Sequence, residues 1–153
     1  MTPVIALDFA SLYPSIIMAH NLSPENVIED EDILTEEPIA GSADFLVTVK
    51  GMSNPVQCCK VLVEFENAGL TAQINSYVLA RSEGVGIYPA ILRMLFDMRK
   101  EVKKQLEHLE EQIKECAKDS PQQRELIFQA SLIDAKQKAI KVFMNTFYGE
   151  TGN

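Results

Sequence analysis

The amino-acid sequence predicts a mixed α/β (α+β) fold, in which strands and short helices precede a long antiparallel hairpin of two helices. Its 153 residues, 46% hydrophobic and 24% charged, have the composition of one globular domain or of part of a larger one. Short β-branched and aromatic runs occur before Tyr88. Apolar residues at helical spacing dominate from Val102 to Met144.

The first segment predicts a buried strand followed by a turn and a short helix. Val4–Leu7 is a continuous apolar run that ends at Asp8, which is typical of a strand buried on both faces. Pro14 disfavours helical geometry in the residue before it, so we expect the helix near Ser15–His20. The acidic stretch Glu25–Glu37, bordered by prolines, predicts a solvated loop.

The second segment predicts strands joined by a turn. Phe45–Val49 and Lys60–Phe65 are rich in β-branched and aromatic residues, and Gly51–Pro55 carries turn residues between them. Gly84 and Pro89 mark the next boundary.

The third segment predicts two helices packed against each other. Apolar positions step by 4 and 3 residues along both halves, in the series Val102, Leu106, Leu109, Ile113, Cys116 and the series Leu126, Ala130, Ile133, Gln137, Ile140, Met144. Asp119-Ser120-Pro121 breaks the pattern, which indicates a tight turn. Arg99 and Lys141 are equally distant from Ser120, so we expect them level, with Lys103 one turn away.

Charge is distributed unevenly along the chain. The net charge of −8 taken alone argues against a nucleic-acid partner, but seven acids fall within Glu25–Glu37. Five basic residues collect in Arg93–Lys104 and three in Lys136–Lys141, which is compatible with a phosphate-bearing partner. No signal peptide or membrane span is evident, and the three cysteines do not suit a disulfide framework, so we expect an intracellular protein that contacts no membrane.

Two motifs and a basic stretch carry a family resemblance. Asp8-Phe9-Ala10-Ser11-Leu12-Tyr13-Pro14-Ser15-Ile16-Ile17 resembles the first palm motif of family B DNA polymerases. Lys141-Val142-Phe143-Met144-Asn145-Thr146-Phe147-Tyr148-Gly149 resembles the second motif, with Thr146 in place of the usual serine. Arg99–Lys104 is similar to the basic stretch on the first fingers helix. The three matches occur in order and span nearly the whole chain.

The resemblance implies a catalytic site with two divalent ions, Mg²⁺ or alternatively Mn²⁺. Asp8 matches the aspartate that binds both ions, and the carbonyl of Phe9 matches a ligand of one of them. Lys141 matches a catalytic cation. The third family motif, Asp-Thr-Asp, is absent from these 153 residues, so we expect this segment alone to be inactive.

The resemblance also implies contacts with a dNTP and with primer–template DNA. The matching nucleotide-binding positions are Ser11, Leu12, Tyr13, Arg99, Lys103, Lys141 and Asn145. Tyr13 matches the residue that excludes a 2′-hydroxyl. Asn145, Tyr148 and Gly149 match residues beside the nascent base pair.

The implied organisation is a partial palm domain at 1–87 and a fingers hairpin at 88–153. The remaining palm, the thumb and the exonuclease would be supplied by a complete polymerase, acting in the nucleus or at a viral or plasmid replication site. Two other hypotheses stay open on the sequence. One is a phosphotransfer domain that uses a strand-end aspartate, and the other is a non-enzymatic coiled-coil interaction module.

Overall fold

The computed structural model describes the backbone of residues 11–67 and 70–151, with the side chains of residues 11–61 and 76–147. Within this part the mixed α+β class is confirmed. Its elements in chain order are α1 (Leu12–Ala19), β1 (Val27–Glu29), β2 (Ile33–Pro38), β3 (Asp44–Val49), β4 (Val56–Asn67), β5 (Leu70–Leu79), α2 (Ile87–Glu115) and α3 (Pro121–Thr151). The predicted strand Val4–Leu7 lies outside the described residues. Residues 15–90 form one compact unit, and residues 91–151 belong to another together with residues 11–14.

The five strands form one antiparallel sheet in the order β1-β5-β4-β3-β2. β1 and β2 lie at opposite edges, although only the single 3-10 turn Asp30–Asp32 separates them along the chain. In a flat sheet those edges would be about 19 Å apart. The chain from Glu29 to Ile33 spans at most about 14 Å. The sheet is therefore curled into an open barrel.

The inside of the curl holds an apolar core. Its buried members are Ile28, Val47, Val49, Cys58 and Tyr77. Burial raises the pKa of the Cys58 thiol to about 11, with the Glu83 and Asp44 carboxylates adding to the shift. Cys58 is therefore a packing residue, as expected for a buried reduced thiol.

A polar bridge crosses the rim of the barrel. The Tyr77 hydroxyl on β5 donates to the Glu36 carboxylate on β2, three strands away in the sheet order. Lys60 on β4 lies 3.0 Å from the same carboxylate and 5.1 Å from the centre of the Tyr77 ring. The bond from Tyr77 and the contact with Lys60 lower the pKa of Glu36. This bridge holds the curled sheet across its opening.

The prediction of a solvated loop at Glu25–Glu37 is wrong. β1 and β2 form there, because Ile28 packs into the core and Ile33 against it while the acidic residues of both strands stay exposed to solvent. The exposed acids suit edge strands, where charge discourages pairing with another chain. The expected helix near Ser15–His20 is present but begins earlier, at Leu12, because proline is tolerated in the first turn of a helix.

The two long helices α2 and α3 confirm the helical half of the prediction. Ser120 caps α3, since its hydroxyl accepts from the Gln123 amide at 3.1 Å, and Pro121 occupies the first helical position. Asp119 has a left-handed backbone with φ of 59°. Across the turn Gln123 Nε2 donates to the carbonyl of Ile113 at 3.4 Å, which ties α3 back to α2.

Candidate functional site

The predicted phosphate-binding cations lie on the two long helices. Arg99 and Lys103 are one turn apart on α2, and Lys141 and Asn145 are one turn apart on α3. Lys103, Lys141 and Asn145 are exposed, whereas Arg99 is half-buried. Three of these side chains are therefore available to a ligand from solvent, and the fourth, Arg99, is partly covered and its Nε atom is buried.

A groove between α2 and α3 gives the register of the hairpin. It is lined by Gln105, His108 and Leu109 on α2 and by Gln129, Leu132 and Ile133 on α3. Counted along the sequence, the centre of each set is about equally far from Asp119. The two helices therefore run antiparallel, with the turn centred near that residue. On this register Arg99 and Lys141 are offset by two residues, or about 3 Å along the axis. They were expected to lie level, and the agreement is approximate, to within about one helical turn.

One polar residue at the seam between α2 and α3, Gln137, was not assigned a role from the sequence. Gln137 is half-buried and its Oε1 has no hydrogen-bond partner among the described residues, and the same holds for Nε of Arg99. The available signal was the position of Gln137 within the apolar series of α3, where a polar residue is unusual. Local pattern gave no reason to link it to Arg99.

The first-motif residues that the structure describes lie at the start of α1. Ser11 has a left-handed backbone with φ of 58° and precedes the helix. Leu12 and Tyr13 lie in the first turn, with 42% and 52% of their surfaces exposed. An exposed tyrosine in that position can contact a ligand. The nucleotide-binding residues predicted from the sequence thus lie on three helices, except Ser11, which directly precedes α1.

The predicted metal ligands Asp8 and Phe9 lie outside the described residues. Within the described ranges no group of three or more His, Cys, Asp or Glu side chains could hold a metal ion. Asp8 offers the hard oxygen ligand that Mg²⁺ prefers, but one carboxylate does not make a site. Tyr148 and Gly149 fall within α3, where the structure does not describe their side chains.

A buried asparagine organises the start of α2. Asn21, 2% exposed, donates through Nδ2 to the carbonyls of Leu79 and Gly84 at 3.0 and 2.9 Å. Its Oδ1 accepts from the amide of Gly86 at 2.9 Å. Asn21 has φ of 54°, a left-handed conformation that asparagine tolerates better than most residues. One side chain therefore joins the end of α1 to the segment that leads into α2.

Two further side chains cap α2. The Ser23 hydroxyl accepts from the Tyr88 amide at 3.2 Å, and the Glu25 carboxylate accepts from the Ile87 amide at 2.5 Å. The bond from Ile87, followed by that from Ser23, lowers the pKa of Glu25. A β-carbon on Gly86 would come within 2.6 Å of Ser23 Cβ, so this position admits only glycine without displacement. We call Asn21, Ser23, Glu25 and Gly86 the α2 anchor.

Sequence reasoning did not find the α2 anchor. Its bonds join residues 58 to 65 positions apart, so no local pattern connects them. Ser23 before Pro24 is typical of a nearby helix start, but the side chains of Ser23 and Glu25 cap a helix that begins more than 60 residues later. Separately, among the described residues no helix is long and apolar enough to cross a membrane.

A family model and several viral proteins match this chain over nearly all of its length. The family model described as DNA polymerase family B matches residues 1–153. The chain is 38% identical over 152 residues to "DNA polymerase beta" of African swine fever virus (isolate Pig/Kenya/KEN-50/1950), and 32% identical over 151 residues to "DNA polymerase" of Paramecium bursaria Chlorella virus NY2A. It is 28% identical over 151 residues to "DNA polymerase catalytic subunit" of human herpesvirus 7 (strain JI).

These matches differ greatly in how much of each protein they cover. They include 99% of this chain but only 11%, 13% and 11% of the three viral proteins, respectively. The chain thus spans about a tenth of the length of the relatives it matches. The family resemblance carried by the two motifs is confirmed along the whole sequence.

Proposed function

Since this chain belongs to DNA polymerase family B, we propose that it contributes part of the nucleotide-binding site of an enzyme that synthesises DNA on a template. The observation that carries this proposal is that Arg99 and Lys103 near the middle of α2 lie within about two helical turns, along the hairpin axis, of Lys141 on the antiparallel helix α3. Cations held close together repel one another, and an anionic ligand between them relieves that repulsion. The triphosphate of a dNTP is such a ligand. Neither a coiled-coil module nor an aspartate phosphotransfer domain accounts for a family match over the full chain.

The proposed reaction is nucleotidyl transfer. The 3′-oxygen of the primer loses its proton and bonds to the α-phosphorus of the dNTP, and the bond from that phosphorus to the bridging oxygen breaks as pyrophosphate leaves. Two divalent ions, held in part by Asp8 and Phe9, would supply charge that aligns the two oxygens. Arg99, Lys103 and Lys141 stabilise the charge that develops on the β- and γ-phosphates.

Recognition of the sugar and base is assigned to the remaining predicted residues. The exposed Tyr13 ring packs under the deoxyribose and leaves no space for a 2′-hydroxyl, while the backbone at Ser11 and Leu12 faces the triphosphate. Asn145, Tyr148 and Gly149 lie beside the nascent base pair.

The proposal places these residues within a larger enzyme. Residues 1–87 are assigned to the palm and residues 88–153 to the fingers. The other partners are primer–template DNA and the remaining palm, thumb and exonuclease. The enzyme would act inside the cell where DNA is replicated. The 153 residues alone provide one metal-binding carboxylate, Asp8, and are expected to extend no primer.

The test is steady-state primer extension by the complete polymerase that contains this segment, or by the African swine fever virus enzyme with this segment in place of its matching 152 residues. Lys141→Ala removes a charge-assisted contact worth about 1.5 to 3 kcal/mol, so kcat/KM for a dNTP should fall on the order of 10- to 100-fold. Tyr13→Ala should instead raise the incorporation of ribonucleotides relative to deoxynucleotides.

Lys136→Ala is the matched control, because Lys136 is an exposed lysine on the same helix with no assigned role. It should retain kcat/KM within about twofold. Equal losses in Lys136→Ala and Lys141→Ala would contradict a specific phosphate contact. An unchanged sugar preference in Tyr13→Ala would contradict the role of its ring.

A further inference from the structure

The seam between α2 and α3 contains two polar residues whose buried atoms complement each other. On α2, Arg99 interrupts the spaced series that runs from Leu92 through Leu95 to Val102. On α3, Gln137 lies between Ile133 and Ile140 in the corresponding series. Nε of Arg99 is a hydrogen-bond donor and Oε1 of Gln137 is an acceptor. Both atoms are buried, and neither has a partner among the described residues.

The register of the hairpin places these two residues level. The hydrogen bond from Gln123 to the Ile113 carbonyl joins positions equally distant from residue 118. Arg99 precedes that residue and Gln137 follows it by the same number of positions, so the two occupy the same height along an antiparallel pair. Whether the register is taken from this hydrogen bond or from the groove between the helices, the offset of Arg99 and Gln137 along the axis is about 3 Å or less.

The orientation of the Gln137 amide is fixed by its neighbours. Its Nε2 donates to Asp134 Oδ1 at 2.9 Å, and Asp134 in turn accepts from Lys138 at 2.6 Å. These two contacts lower the pKa of Asp134, that with Lys138 having the larger effect, so it stays an acceptor at neutral pH. Because the amide nitrogen is engaged by Asp134, the group that Gln137 leaves buried and unpaired is its acceptor, Oε1.

An unpaired buried donor and an unpaired buried acceptor each carry a desolvation cost. Both side chains are long and have several rotatable bonds, and pairing would require them to change rotamer. Pairing would relieve both costs at once. It would also hold the guanidinium plane by its Nε edge, leaving the two terminal nitrogens free to bind an anion bidentately.

We propose that Gln137 is the positioning residue for Arg99, accepting a hydrogen bond from Arg99 Nε when the nucleotide is bound. The inference rests on the proposed function, since it assigns Arg99 to the phosphates of a dNTP. Gln137 itself touches no substrate. Its effect is to orient a cation that would otherwise sample several rotamers.

The experiment is a double-mutant cycle on kcat/KM for dNTP incorporation, in the complete polymerase described above. Gln137→Met removes the acceptor at nearly constant volume. The expected loss is on the order of tenfold for Gln137→Met and 10- to 100-fold for Arg99→Ala. In the Arg99→Ala background, Gln137→Met should cost less than about twofold, because the residue acts through Arg99.

The matched control is Gln129→Met. Gln129 lies on the same helix and also donates to an acid of that helix, Glu125, at 2.9 Å, but its side chain is exposed. It should keep wild-type kcat/KM. The melting temperature of Gln137→Met should change little, since removal of the unpaired buried oxygen offsets loss of the hydrogen bond to Asp134. A fall that accompanies the kinetic loss would overturn the proposal in favour of a packing role.

The remaining outcomes separate the two proposals. If Arg99→Ala lowers kcat/KM but Gln137→Met does not, or if their losses add in full, the positioning role is overturned and the proposed function stands. If Arg99→Ala has no effect, the phosphate contact of Arg99 and the positioning role are both overturned.

Discussion

Replacement of Asn21 would test how strongly the α2 anchor stabilises the unit formed by residues 15–90. Asn21→Ala leaves two carbonyls, those of Leu79 and Gly84, and the Gly86 amide without their partner. The Gly86 amide is buried, so leaving it unsatisfied costs about 1 to 3 kcal/mol, whereas the carbonyls of Leu79 and Gly84 are partly accessible to water and add less. Alanine also tolerates the left-handed backbone of residue 21 poorly, which adds to the loss.

Asn21→Gly separates these two effects. Glycine loses the same hydrogen bonds but adopts the left-handed conformation freely, so this variant should be more stable than Asn21→Ala by roughly 0.5 to 1 kcal/mol after its greater chain entropy is counted. The measurement is urea unfolding of the 153-residue chain by circular dichroism, with exposed His20→Ala as the neighbouring control. A cost below about 1 kcal/mol for Asn21→Ala would refute the argument, because it would mean that water replaces the lost bonds.

Two further predictions concern the Glu25 cap and the hairpin seam. Glu25→Gln should lower the melting temperature at pH 7, since the carboxylate caps α2. The pKa of Glu25 is lowered from 4.5 in the folded chain, so its stabilisation is present above that pH and is lost as pH falls through the folded value. Melting curves of the two proteins should therefore converge as pH is lowered below 4.5, and a difference that persists there would exclude a charge effect. On α3, Met144 is 1% exposed and Phe143 is 57% exposed. Met144→Ala should destabilise the chain by about 2 to 5 kcal/mol, because it leaves a cavity, and Phe143→Ala should cost much less. Equal urea midpoints for the two variants would contradict the burial of Met144.

The sequence was most informative where neighbouring residues determine the structure. The spacing of Val102, Leu106 and Leu109 predicted α2, and Ser120-Pro121 predicted the start of α3, because helix periodicity and capping act over a few residues. The acidic residues between Glu25 and Glu37 misled the analysis. Their charge indicated a loop, but strand formation there depends on pairing of Ile28 with Tyr77, almost 50 residues away.

In the candidate site, too, features set by neighbouring residues could be predicted and features set by tertiary packing could not. Arg99, Lys103 and Lys141 could be placed from motif and register, since each lies on a helix with a clear period. The hydrogen bonds of Asn21 and the burial of Gln137 Oε1 could not, because both arise only when distant segments pack together. A buried polar atom is recognised by what surrounds it, and the surroundings are not encoded in adjacent residues.

The connectivity of the barrel has a consequence for the order in which it forms. Neighbouring strands from β2 to β5 can pair as successive hairpins. β1 can pair only after β5 has been made, since Val27 pairs with Val78. Closing that long loop has an entropic cost that local hairpins do not share. On a ribosome β1 is made first and pairs last, so the edge of β5 stays unpaired until the chain has emerged beyond it. Synthesis past residue 79 is therefore the point at which the five-stranded sheet can first become complete.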